Sequence, residues 1–193
     1  MATTTSRYKT SGISTADGNR INELLQNRLT ALIDLELTLK HIHWNVVGPS
    51  FIGVHQMIDP QVDAVRLMVD ALAERIATMG GMPVGTPGYV SQNRSWEDYS
   101  ILRATTMEHL GALDVVYSGV VKDHRAAAEE LGDLDLVTQD MLVGQLDQLE
   151  QFQWFVRAHL ETSDGSIPKT TTEKAGAAAG KRRAAAASTK NGK

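Results

Sequence analysis

Apolar residues return every three or four positions through most of this chain. Between Asp17 and Val46 they fall at Ile21, Leu24, Leu25, Leu29, Leu32 and Ile33, the spacing of one face of a helix. Gly48-Pro49-Ser50 stops the pattern and predicts a turn. A second helix is expected from about Phe51 to Met79, with Val54, Ile58, Val62, Val65, Val69, Leu72 and Ile76 on its apolar face. Pro60 lies inside it. Proline removes a hydrogen bond and crowds the preceding turn, so this helix is expected either to begin near Asp59 or to kink there. Gly80–Asn93 is rich in Gly and Pro and long for a bundle loop. It predicts a connection running from one end of the bundle to the other, with a short helix near Tyr89–Gln92. Ser95-Trp96-Glu97-Asp98 reads as the capped start of a third helix ending near Leu131. Gly132–Asp135 reads as a turn, and a fourth helix runs to about Glu161. The pattern predicts an all-α four-helix bundle with a long crossover between helices two and three.

The 193 residues divide into three parts: a Thr/Ser-rich, flexible segment 1–16, the bundle 17–162, and a low-complexity tail 163–193. Aromatics make up only 5% of the chain, so Leu, Ala, Val and Met must fill the core, which favours helix over sheet. Cysteine is absent. That excludes a disulfide framework, a zinc–thiolate site and thiol-based peroxidase chemistry. No stretch approaches the roughly 20 apolar residues of a membrane span, and the N-terminus lacks the apolar core of a secretory signal. A cytoplasmic protein without a membrane partner is expected.

Charge is unevenly distributed. The tail carries seven basic residues against two acidic ones, a net +5 within a whole-chain charge of −4, so the remainder carries −9. Without large apolar residues the tail cannot build a core. Lys181, Arg182 and Arg183 form its densest cluster, followed by Lys190 and Lys193. The plain reading is a solvated tail. The functional one is phosphate neutralisation on double-stranded DNA, without sequence specificity because nothing there reads bases.

The most informative chemistry lies in the run H-W-N-V-V-G-P-S-F-I-G-V-H-Q-M-I-D and, ten residues later, D-A-L-A-E-R. These supply His43, His55, Asp59, Asp70 and Glu74, two imidazoles and three carboxylates of the kind that suit Fe²⁺. His55 and Asp59 are one turn apart, as are Asp70 and Glu74, so each pair shares a helix face. Eleven residues separate Asp59 from Asp70, about three turns and roughly 16 Å. One ion with bonds of about 2.0–2.2 Å cannot touch both pairs on one helix.

A two-fold axis resolves this. His55 lies as far before the midpoint between Ala64 and Val65 as Glu74 lies after it, and Asp59 and Asp70 are related in the same way. Antiparallel packing of two copies of the helix then sets His55 opposite the partner's Glu74, and Asp59 opposite the partner's Asp70. Two identical sites form at one interface, as two-fold symmetry requires. His43 and His55 straddle Pro49 symmetrically, so in a tight helical hairpin they lie at about the same level.

The same residues resemble the signature of the Dps family, the ferritin-like mini-ferritins also called DNA-binding proteins from starved cells. The likeness runs from about Ile21 to His159, includes F-x-W-F at Phe152–Phe155, and shows no departure at the five ligand positions. The alanine-rich basic tail is most similar to actinobacterial members. The resemblance implies a ferritin-like bundle assembling as a hollow homododecamer. It implies ferroxidase activity at His43, His55, Asp59, Asp70 and Glu74, with hydrogen peroxide preferred over dioxygen as oxidant. Fe²⁺ and Fe³⁺, stored as ferric mineral without haem, are then the metals handled. It also implies nucleoid association, an acidic pore at a three-fold axis to which Asp140 and Asp135 belong, and a Trp44 close enough to iron to intercept oxidising equivalents.

Other readings compete for these residues. No Glu is followed three residues later by His, so a di-iron centre inside one bundle is not expected. The ligand set would also accept Zn²⁺ or Mn²⁺ without turnover. The competing functional class is a structural, nucleoid-compacting DNA-binding protein whose metal site is secondary. His41 points away from His43. His109, His124 and His159 read as surface or interface residues, Met57, Met68 and Met79 as packing, Trp44 as hairpin packing, and Asp63 as solvent-facing or a weaker second iron ligand.

Overall fold

Ser14 starts the bundle. Its hydroxyl accepts a hydrogen bond from the Asp17 amide at 3.1 Å and caps α1, Thr15–Asn45. The computed structural model describes residues 10–162 and 164–167. The basic tail cluster Lys181, Arg182, Arg183, Lys190 and Lys193 therefore lies outside the described residues. Buried Ile21, Leu25, Leu29, Leu32, Leu35, Leu39 and Ile42 form the core stripe of α1, and each buried aliphatic side chain contributes about 1.5–3 kcal/mol.

Val46–Val47 leave α1 as a two-residue strand, β1. Gly48 then adopts φ +109°, a left-handed conformation that side chains disfavour, and the chain reverses into α2, Phe51–Thr78. This helix neither begins at Asp59 nor breaks there. It continues through Pro60, because Pro60 and Gln56, whose carbonyl loses its helical partner, are both exposed to water. The C-terminus of α2 closes with Gly81 N–H donating to Ile76 O at 2.8 Å and Gly80 N–H to Ala77 O at 3.0 Å. Gly80 takes φ +78°, as this closure requires.

The crossover occupies residues 79–105. Gln26 of α1 grips it, donating to Val84 O at 2.8 Å and accepting from Val84 N–H at 2.9 Å. The short helix expected here is α3, Pro87–Asn93, with proline at its first position, where no intrahelical donor is needed. The third long helix does not start at Ser95. It is α4, Thr106–Leu131, opened by a capping box between Thr105 and Glu108. Residues 95–98 instead fold back on Arg94, which donates from Nε to Trp96 O at 2.7 Å and pairs with Asp34 at 3.5 Å. Trp96 lies against Gly119 of α4; a Cβ there would fall 2.0 Å from the indole. Ala104–Thr105 form β2, pairing in parallel with β1. This two-rung ladder pins the end of the crossover to the end of α1, so α2 and α4 run the same way. α5, Leu136–Leu160, returns antiparallel and is capped by Asp135.

One apolar core joins α1, α2, α4 and α5. Met68 and Met79 are buried in it and Met57 packs against it, as expected. Tyr117, fully buried, donates to Gln61 Oε1 at 2.7 Å and ties α4 to α2. His109 and His124 are not surface residues; both are wholly buried. Each has a polar partner inside, Tyr99 OH for His109 Nδ1 and Gln145 Oε1 for His124 Nε2, both at 3.0 Å. No helix among the described residues is long and apolar enough to cross a membrane.

Candidate metal centre

The antiparallel α1–α2 hairpin carries a polar ladder on one face. Its rungs are Glu36 with Arg66, Lys40 with Asp59, and His43 with His55. At the top, the His43 and His55 rings stack with centroids 3.6 Å apart. Their backbones and rings are reciprocally tied: His43 Nδ1 meets His55 O at 3.0 Å, and His55 Nδ1 meets His43 O at 2.9 Å. A carbonyl can only accept, so each Nδ1 carries the proton. In the neutral ring, that tautomer leaves the lone pair on Nε2, the form in which imidazole binds metal.

Asp59 lies beside this pair, with Oδ1 3.1 Å from His43 Nδ1 and 2.7 Å from Lys40 Nζ. The hydrogen bond from Lys40 holds the Asp59 carboxyl below its ordinary range, with His43 and His55 adding to the effect. Lys40 was not among the candidates read from sequence. Its signal was its position three residues before His43 and four after Glu36, which places all three on one face.

The structure brings His43, His55 and Asp59 together and leaves Asp70 and Glu74 apart, exposed farther along α2. Among the described residues of one chain, no group of three or more His, Asp or Glu side chains is placed to hold a metal ion. Asp63 is exposed with Arg66 Nη1 at 3.9 Å. Trp44 does not pack into the hairpin; it is 70% exposed, in the last turn of α1 beside the site. His41 turns away to Ile101 O at 2.7 Å, and His159 is a surface residue.

The two pore candidates differ. Asp135 is committed to holding the fold. It caps α5 through the Thr138 amide at 3.0 Å and pairs with Arg75 of α2 at 2.5 Å. Burial alone would raise its carboxyl, but Thr138 and Arg75 outweigh that and hold it below its usual range. Asp140 stands exposed on the first turns of α5.

Four long helices, a crossover that sets α2 and α4 parallel, and carboxylates and imidazoles displayed on the hairpin define a ferritin-like protein. The ferritin-like domain family matches residues 22–165. The DNA protection during starvation protein of Mycolicibacterium smegmatis is 54% identical over 168 residues, covering 86% of this chain and 92% of that protein. A fine tangled pili major subunit from Haemophilus ducreyi is 47% identical over 156 residues, covering 81% and 82%. Among solved structures, Mycobacterium smegmatis Dps superposes with a TM-score of 0.82 at 54% identity, covering 83% of this chain and 99% of that one. DpsA14 from Streptomyces coelicolor superposes with a TM-score of 0.84 at 59% identity, covering 86% and 99%. The chain belongs to the Dps family of ferritin-like proteins.

Proposed function

We propose that this protein oxidises and stores iron at sites shared between subunits and protects DNA. The observation that carries the proposal is the reciprocal tie between His43 and His55, which frees both Nε2 atoms beside the ionised Asp59. Packing two α2 helices about the midpoint between Ala64 and Val65 brings the partner's Asp70 and the partner's Glu74 to this half-site. Asp59 then faces the partner's Asp70. Two carboxylates face to face repel each other unless a cation lies between them, and Fe²⁺ supplies that charge as substrate. The three carboxylates favour Fe³⁺ over Fe²⁺ as it forms, and the imidazoles hold it.

Hydrogen peroxide is the oxidant we propose, with dioxygen as the slower one. Two Fe²⁺ give one electron each to one peroxide, which takes up two protons and leaves as two waters, so no hydroxyl radical is released. The ferric product collects inside a hollow dodecamer. The basic tails of twelve copies act together on DNA through effective concentration, placing the protein in the cytoplasm on the nucleoid. Name and sequence of the starvation-protection relative support this reading.

The test adds Fe²⁺ anaerobically to assembled protein, then peroxide, following ferric absorbance and hydroxyl-radical trapping together. Rapid ferric growth with little radical is expected from the native protein. His43→Ala and Asp70→Ala should each slow oxidation about tenfold or more while the shell stays assembled. Unchanged kinetics in both would remove the site assignment.

A further inference from the structure

Midway between the two candidate half-sites, α2 displays one more pair of opposite charges. Because α2 is unbroken from Phe51 to Thr78, face positions hold along its length. Asp63 and Arg66 fall on the same stripe as His55, Asp59, Asp70 and Glu74, and their side chains are 77% and 60% exposed. They are equidistant from the midpoint between Ala64 and Val65.

Arg66 is anchored and aimed within its own chain. Its Nε and Nη2 donate to Glu36 Oε1 of α1 at 3.0 and 2.8 Å. Its Nη1 lies 3.9 Å from Asp63 Oδ1 of the same chain, too far for a hydrogen bond, so one edge of the guanidinium fork is left to donate elsewhere.

We propose that Asp63 and Arg66 are the register lock of a two-fold α2–α2 interface, each Asp63 pairing with the partner's Arg66. The proposal rests on the shared-site reading above. The partner it commits to is a second copy of this chain, because the stripe is complementary to itself in one register. With the axis at that midpoint, Asp63 meets the partner's Arg66 twice, and His55 meets the partner's Glu74 twice. A slip of three residues, about one turn, sets Asp63 against its own copy in one direction and Arg66 against its own copy in the other. Like charges placed directly opposite each other across an interface suppress that register. Asp63 and Arg66 are therefore positioning residues. They touch no iron, but the register they fix brings the partner's Asp70 and the partner's Glu74 to His43, His55 and Asp59.

The experiment is a charge exchange in full-length protein carrying Glu36→Gln, so that a carboxylate introduced at position 66 meets no repulsion from α1. Asp63→Arg, Arg66→Asp and the double exchange are compared for assembly by sedimentation, for helical content, and for the iron oxidation rate. Each single reversal should weaken subunit association about tenfold or more and slow oxidation, with helical content retained. The double exchange should restore both to within about threefold of the parent, because the pair is kept with its signs exchanged. The milder Asp63→Asn should weaken association without reversing charge. Single reversals that leave assembly unchanged, or a double exchange no better than either single, would overturn the proposal.

Asp70→Asn, measured alongside, separates this from the site reading. If Asp70→Asn abolishes oxidation while the reversals leave assembly and oxidation intact, the shared site stands and the lock fails. If the reversals and exchange behave as expected while Asp70→Asn oxidises iron normally, the lock stands and the site fails.

Discussion

Lys40 Nζ donates to Asp59 Oδ1 at 2.7 Å, so the carboxylate proposed to receive iron already has a cationic partner. That contact keeps Asp59 ionised below the ordinary carboxylate range. It also sets a competition, since a divalent ion taking the same oxygen must share it with the ammonium or displace it. Lys40→Met keeps the length of the side chain and removes the charge. Anaerobic calorimetry with Fe²⁺ should show binding about three- to tenfold tighter, since a tenfold change needs only about 1.4 kcal/mol of relieved repulsion. Weaker binding in Lys40→Met would mean that Lys40 serves to position Asp59.

Asp135 and Asp140 are five residues apart in sequence but should separate cleanly by experiment. Asp135 caps α5 and pairs with the half-buried Arg75. Asp135→Ala removes a cap worth about 1 kcal/mol and leaves the Arg75 guanidinium with only the Thr138 hydroxyl, for a combined loss of about 1–3 kcal/mol in denaturant unfolding, with little change in iron uptake. Asp140→Asn should do the reverse. Stability is kept, and uptake of Fe²⁺ at low ionic strength slows severalfold as an attracting charge is lost. Stopped-flow uptake and urea melts on both variants check the pair.

The four long helices and the hairpin at Gly48 were legible in the sequence because they depend on local pattern. So was the grouping of His43, His55 and Asp59, which follows from helical period and one tight turn. The start of α4 was not. Ser95-Trp96-Glu97-Asp98 has the composition of a cap, but Trp96 is bound by a long-range contact with Gly119, and Arg94 spans to Asp34 on α1. Local chemistry cannot reveal either contact. The true cap, Thr105 with Glu108, was equally visible as a motif. Buried His109 and His124 escaped for a related reason. A polar residue reads as surface until its partner is known, and Tyr99 and Gln145 come from elsewhere in the chain.

His124 gives a pH prediction with a definite sign. Burial, aided by nearby Arg28, drives its pKa down to about 3, against about 6.5 in an unfolded chain. The unfolded state therefore takes up a proton that the folded state refuses. The contribution of neutral His124 to stability is fully present above about pH 6.5 and is lost progressively as pH falls towards 3. His109 shifts in the same direction, chiefly by burial. His124→Gln can still donate an amide N–H to Gln145 and cannot titrate. Its melting temperature should fall less steeply than that of the native protein between pH 6.5 and 4. Parallel slopes would mean that other groups govern acid unfolding.

Removing residues 168–193 separates iron chemistry from DNA binding. The deletion leaves every described helix and all five proposed ligands in place, and it removes seven basic residues and one acidic residue. What remains is more acidic than the whole chain, and an acidic surface repels phosphate. Retardation of duplex DNA should therefore disappear, while the rate of ferrous oxidation stays within about twofold of the native value, because all five proposed ligands come from α1 and α2. In the full-length protein, DNA affinity should fall steeply between 50 and 200 mM salt, on the order of tenfold or more, since each neutralised phosphate releases a counterion. Substituting only Lys181, Arg182 and Arg183 by Ala should remove most of that salt dependence if the cluster is the main contact. DNA binding that survived the deletion would move the contact to the shell and leave the tail without this role. Loss of oxidation on deletion would show that the tail supports the iron site after all.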